Sequence, residues 1–116
     1  MNDLNSVLIE GTLTKDAELT SENGLTVCKF TLSSNRYIKK DKSIDKIETF
    51  VTVKALSSQL EKNFYKARKG MSIRVVGHLI QDNNIILVEA DHVEFRNKPN
   101  KENKNVLPYN EENNIE

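Results

Sequence analysis

Residues 47–54, Ile47-Glu48-Thr49-Phe50-Val51-Thr52-Val53-Lys54, alternate with a period of two, which sets Ile47, Thr49, Val51 and Val53 on one face of a strand and Glu48, Phe50, Thr52 and Lys54 on the other. The first face is the apolar one, so Phe50 points away from the core. Burying a phenylalanine stabilises a fold by about 1.5–3 kcal/mol. An aromatic in phase with Glu and Lys forgoes that, so it is either covered by something else or a contact surface. Downstream, Leu56, Leu60, Phe64 and Ala67 recur at steps of four, four and three, the stripe of an amphipathic helix. Ser58 with Glu61 forms a capping box, Lys66, Arg68 and Lys69 suit the negative end of the helix dipole, and Gly70 supplies a left-handed C′ residue. A strand resumes at Met71, with Met71, Ile73, Val75, Gly77 and Leu79 on one face and Ser72, Arg74, Val76 and His78 on the other.

Upstream, Ser6 to Thr14 alternates Val7, Ile9, Gly11 and Leu13 against Leu8, Glu10 and Thr12, a first strand with a glycine near its middle where a barrel strand bends. Asp16 to Thr20 continues extended, and Glu22-Asn23-Gly24 is a hairpin signal. Val27 to Asn35 is the second strand, with Cys28, Phe30 and Leu32 inward. Gln81-Asp82-Asn83-Asn84 turns the strand from Met71 into a last one over Ile85 to Phe95. The order β-β-β-α-β-β is that of an all-β fold, a five-stranded OB-fold barrel with one helix between strands 3 and 4. A small open sheet with one packed helix has the same order.

At 116 residues there is room for one core. We assign residues 1–95 to the barrel. Residues 96–116 hold seven Asn, four Lys or Arg, four Glu and both prolines, the composition of a disordered polar tail, within which Val106-Leu107-Pro108-Tyr109 is a short apolar cluster. No apolar run is long enough for a membrane span, and Met1-Asn2-Asp3-Leu4 lacks a signal peptide's basic and apolar regions, so a cytoplasmic protein is expected. The single cysteine, Cys28, fits a reducing compartment and reads as a small core residue.

Catalytic and metal chemistry find little support. His78 and His92 with one cysteine offer no zinc-ligand spacing, and no Gly-rich phosphate loop is present. Asp82, Glu89, Asp91 and Glu94 are the nearest approach to a carboxylate cluster. We therefore expect a non-enzymatic protein without cofactors. Net charge is zero, yet from Arg36 to Lys46 five cations, Arg36, Lys39, Lys40, Lys42 and Lys46, face two acids, Asp41 and Asp45, an excess of three. That segment has no apolar periodicity and reads as a basic loop. Phe50, Tyr37 at the loop's edge, and Lys54, Arg74 and the loop cations supply what a single strand requires, aromatic faces for stacking and cations along the backbone path.

Asn5-Ser6-Val7-Leu8-Ile9-Glu10-Gly11-Thr12-Leu13-Thr14-Lys15-Asp16-Ala17-Glu18-Leu19 resembles the opening of bacterial single-stranded DNA-binding proteins. Phe30-Thr31-Leu32, Glu48-Thr49-Phe50, Arg68-Lys69-Gly70, Val75-Val76-Gly77-His78-Leu79 and Ala90-Asp91-His92-Val93-Glu94-Phe95 extend the likeness to residue 95. The resemblance implies a homotetramer of OB-folds that wraps single-stranded DNA in replication, recombination and repair, and is associated with the nucleoid. It places Phe50 where the family has a stacking tryptophan and either Tyr37 or Ile38 at a second stacking aromatic. The nucleic-acid-binding set is thus Tyr37, Phe50, Lys54, Arg74, Arg36, Lys39, Lys40, Lys42 and Lys69. Leu56 stands where the family often has a stacking phenylalanine, and Thr52 where a basic residue is common. The arm that family members often carry between the last two strands has no room between Leu79 and Ile85. Replication and repair proteins are the partners the resemblance implies, but the acidic Pro-Phe tip that recruits them is replaced by Glu111-Glu112-Asn113-Asn114-Ile115-Glu116. A primosome-type OB accessory dimer, or an OB-fold adaptor without a nucleic-acid role, are the other readings.

Overall fold

A computed structural model describes residues 1–56 and 67–96. Six strands fill it: β1 (Val7–Leu13), β2 (Glu18–Glu22), β3 (Leu25–Lys39), β4 (Ile44–Leu56), β5 (Ser72–Asp82) and β6 (Ile85–Arg96). They follow the order β1-β5-β6-β4-β3-β2, and an additional β1–β3 pairing closes the sheet on itself. The closing seam is short, Thr12 with Ser33 and Leu13 with Leu32, and the one parallel contact joins Val53 to Val88 and Lys54 to Glu89 on β4 and β6. This is the OB-fold barrel expected from the order of elements. Among the described residues no helix is long and apolar enough to cross a membrane.

Three expectations change in detail. The extended stretch after Asp16 is a strand of its own, β2, because Glu18 to Glu22 finds a full ladder along β3 from Lys29 to Leu25. The basic loop is not a loop. Arg36, Tyr37, Ile38 and Lys39 pair with Ile47, Lys46, Asp45 and Ile44, and the chain turns only at Asp41-Lys42, where the Lys40 amide donates to the Ser43 carbonyl at 2.8 Å. The last strand runs one residue further than expected, to Arg96. Most of the expected helix, with Ser58, Leu60, Glu61, Phe64 and Lys66, lies outside the described residues, as does the stretch from 97 to 116. Ala67 and Gly70 are described. Ala67 is buried, and Gly70 has the left-handed φ of 91° anticipated for it, with its amide donating to the Leu13 carbonyl at 2.9 Å.

The inward faces meet as read from the sequence. Leu13, Cys28, Phe30, Leu32, Val53, Ala55, Ile73, Val75, Val88 and Ala90 form one buried cluster. Burial pushes the Cys28 thiol up to about 11, so it remains protonated and behaves as an apolar side chain. Ile47 and Leu79 share the parity of core residues but are exposed. Ile47 sits where β3 and β4 run on past the barrel and, among the described residues, pair only with each other, and Leu79 lies toward the tip of the β5–β6 hairpin.

Turn chemistry sets the register. Asn23 and Gly24 both adopt positive φ, as do Asn83 and Asn84, which is the backbone of the two-residue primed turn that matches strand twist. The N-terminus is tied down by a side chain imitating a backbone. Asn5 Oδ1 accepts from the Leu79 amide at 2.9 Å while Nδ2 donates to the Leu79 carbonyl at 3.0 Å, which prolongs the β1–β5 ladder two residues beyond the Val7–Gly77 pair.

Gly77 lies beside a register shift between β5 and β6, and a Cβ there would stand 2.2 Å from the Glu89 carbonyl oxygen. Because backbone and not a flexible side chain occupies that space, β6 has to move to admit even a methyl group. Gly77→Ala should lower stability by at least about 1–3 kcal/mol, the usual range for overpacking. Urea unfolding at constant m checks it, and a midpoint equal to the parent's would show that β5 and β6 do not approach this closely.

Candidate nucleic-acid interface

Register along β3 and β4 decides which side chains share a surface. Phe30 opposes Val53 and Leu32 opposes Val51, both inward, so the alternate pairs Lys29–Lys54, Thr31–Thr52, Ser33–Phe50, Asn35–Glu48, Tyr37–Lys46 and Lys39–Ile44 point outward. Phe50 is 60% exposed and Tyr37 57%. Tyr37 lies four positions along β3 from Ser33, the residue opposite Phe50, so the two ring positions are offset by about 13 Å along one face of the ribbon. Tyr37 is on the same face as Phe50 and Ile38 is on the other, so the geometry favours Tyr37 as the second ring. The first aromatic was legible from alternation alone. The shared face was not, because it depends on cross-strand register.

The cations divide into two groups. On the ribbon, Arg36, Lys39, Lys42 and Lys46 are exposed and form no ion pair among the described residues, while Lys40 bridges to Asp45 at 2.7 Å. Lys39 and Lys46 share the aromatic face, and Arg36 lies on its reverse beside Ile47. On the barrel the expected cations are engaged. Lys54, outward on β4, reaches Glu22 at 2.7 Å and Asp82 at 3.4 Å with 15% of its side chain exposed. The hydrogen bond to Glu22 and, after it, that to Asp82 hold its ammonium above the ordinary lysine range. Arg74 lies on another surface, the outward side of β1, β5 and β6, between Glu10 at 3.4 Å and Glu94 at 3.5 Å, where Arg96 also meets Glu10. Lys69 is at the barrel end, its amide donating to Asp16 at 2.8 Å. That bond, then the Arg68 guanidinium, lowers the Asp16 carboxyl below its usual range. The structure thus brings Tyr37, Phe50, Lys39 and Lys46 together, leaves Arg36, Lys40 and Lys42 on the same ribbon, and separates Arg74 and Lys69 from it. Lys46 was counted in the basic segment but not among the binding residues, although its alternation with Glu48 and Phe50 already placed it on their face.

Acids occupy the outward surface beyond Lys54. His78 on β5 contacts Glu89 through Nε2 at 2.9 Å and Asp91 through Nδ1 at 3.2 Å. Only the imidazolium can donate to both carboxylates, so the contacts to Asp91 and then Glu89 raise the His78 pKa. No group of His, Cys, Asp and Glu side chains among the described residues is arranged to hold a metal ion.

The sequence model described as the single-strand binding protein family matches residues 4–85. A single-stranded DNA-binding protein of Borreliella burgdorferi is 37% identical over 81 residues, covering 68% of this chain and 54% of its own length, so the chain spans about half of the curated relative it matches. Among solved structures, a Plasmodium falciparum SSB complex with ssDNA superposes with a TM-score of 0.68 at 18% identity, covering 84% of this chain and 98% of that one. The wild-type single-stranded DNA binding protein from Thermus aquaticus gives 0.69 at 22% identity, covering 83% and 52%.

A histidine whose pKa is raised in the fold adds stability that is fully present below its unfolded value, about 6.5, and is lost as pH rises through the raised value. The melting temperature should therefore fall as pH rises above about 6.5, and His78→Gln should flatten that fall. An identical slope in the variant would mean the Glu89–His78–Asp91 contacts do not persist in solution.

Proposed function

Because this chain belongs to the single-strand binding protein family, we propose that it is a non-enzymatic protein that binds single-stranded DNA of any sequence, protecting it in replication, recombination and repair. The observation that carries this reading is the pair of exposed rings, Phe50 and Tyr37, on one face of a ribbon whose cations outnumber its acids. A phenyl face stacks on any base, and ammonium groups beside it attract any phosphate, so the surface selects for unpaired nucleotides rather than for sequence. A duplex hides the π-faces that the rings require. Lys54, neutralised by Glu22 and Asp82, contributes less than the ribbon lysines, and residues 1–95 are the unit that binds.

We further propose self-association into the tetramer implied for the family. Leu8, 72% exposed, lies opposite Val76, 38% exposed, on the outward side of β1 and β5, and the Glu10–Arg74–Glu94 ion pairs border them. The outer edge of β1 is paired with β3 only at Thr12 and Leu13 among the described residues, and β3 also lies against Gly11, so the edge at Val7 to Glu10 is open for a second copy.

Phe50→Ala should weaken oligo-dT binding by about 1–3 kcal/mol, the loss for one base–aromatic stack, with no change in melting because the ring is outside the core. In the same titration, Lys39, Lys40 and Lys42 changed together to Glu should flatten the dependence of affinity on salt. Oligo-dT bound no better than the matched duplex, or equally by Phe50→Ala, would refute the stacking surface.

Leu8→Lys should lower the mass measured by sedimentation toward that of one chain while leaving the barrel's melting cooperative, since Leu8 contributes nothing to the core. An unchanged mass would place the subunit contact elsewhere.

A further inference from the structure

Between the two aromatic rows of the ribbon lies one polar row, Asn35 opposite Glu48, facing outward with them. Glu48 is the one acid on the outward face of the ribbon's register, and among the described residues no cation pairs with it although Lys46 precedes it by two positions. Instead its Oε2 accepts from Ser33 Oγ at 2.5 Å, and Ser33 is the residue directly across from Phe50. The carboxylate is therefore drawn toward the Phe50 platform and held there. On a surface meant only for phosphate this is counterproductive, because an anion beside the stacking ring repels the backbone that the lysines attract.

A fixed carboxylate has only acceptors, and what it complements is a base edge with donors. The four bases differ there. Guanine presents N1–H and the N2 amino group side by side, matching two carboxylate oxygens. Cytosine and adenine each present one amino group next to an acceptor nitrogen. Thymine presents N3–H flanked by two carbonyl oxygens, which a carboxylate repels. The Asn35 amide across the ribbon can donate to the guanine O6 that the carboxylate leaves unserved.

We propose that Glu48, oriented by Ser33 and assisted by Asn35, contacts the Watson–Crick edge of the base stacked on Phe50 and biases this position toward guanine. The inference rests on the reading of Phe50 as a stacking platform, and it adds a preference at one position to a surface that otherwise accepts any sequence. Ser33 acts as a positioning residue, since it touches the carboxylate and not the base.

The test compares oligo-dT, the same oligonucleotide carrying isolated guanines too sparse to self-associate, and a third with inosine, which lacks the N2 amino group, at each guanine position. The wild-type chain should bind the guanine oligonucleotide about fivefold more tightly than oligo-dT, with inosine between them. Glu48→Thr keeps a strand-forming residue but removes the carboxylate. It should bring the guanine-to-thymine ratio close to one while oligo-dT binding persists or tightens, because a negative charge has gone. Ser33→Ala, which frees the carboxylate without removing it, should give an intermediate ratio. If all oligonucleotides bind but the ratio is the same in wild type and Glu48→Thr, the base-reading role is wrong and the stacking surface stands. Binding to none of them would overturn the proposed function and this inference together.

Discussion

Closure of the barrel depends on two places where strands cross too closely for side chains. At Gly77 the Glu89 carbonyl occupies the space of a Cβ, and at Gly11 the Ser33 carbonyl does the same at 2.5 Å. Gly11 sits where β1, still paired with β5 through Thr12 and Ser72, begins to pair with β3 through Thr12 and Ser33, so one strand serves two partners. Without that close approach the sheet would remain open and Leu13, Leu32 and Ile73 would face water rather than one another. Each of those side chains contributes about 1.5–3 kcal/mol by burial, so the core depends on backbone approach at residues that have no side chain of their own.

Electrostatics separates the barrel from the ribbon it carries. Cations on the barrel surface are matched by carboxylates from neighbouring strands: Lys54 with Glu22 and Asp82, Arg74 with Glu10 and Glu94, His78 with Glu89 and Asp91. A phosphate arriving there competes with a partner already in place. On the ribbon, Arg36, Lys39, Lys42 and Lys46 have no such competitor among the described residues, and a net charge of zero for the whole chain conceals this division. Composition therefore understates how strongly one region attracts an anion.

How much of this was legible in the sequence follows from which interactions are local. Alternation placed Phe50 outward and Cys28, Phe30 and Leu32 inward, because strand periodicity is a property of consecutive residues. Asn23-Gly24 and Asn83-Asn84 announced their turns for the same reason. The ribbon was misread as a loop: its residues alternate on two solvent-facing sides, so no apolar periodicity marks it, and what holds it is ladder pairing between residues as far apart in sequence as Asn35 and Glu48. Lys54 and Arg74 were assigned to the binding surface by charge, whereas their state is set by Glu22, Asp82, Glu10 and Glu94, which only the fold brings near.

The two-stranded extension also means that this molecule has two levels of local stability. In the barrel, the ladder amides of β5, which is paired with β1 on one side and β6 on the other, lie beside packed side chains, so their exchange with solvent requires larger opening. Between Asn35 and Glu48 the same kind of bond is exposed on both faces and, among the described residues, supported by no third strand. Tyr37, one of the two rings proposed to stack on a base, thus stands on a segment whose amides exchange at lower free-energy cost than those of β5. A bound strand lying across both β3 and β4 would supply the missing layer, and part of its binding energy would appear as slowed exchange in the ribbon rather than as affinity.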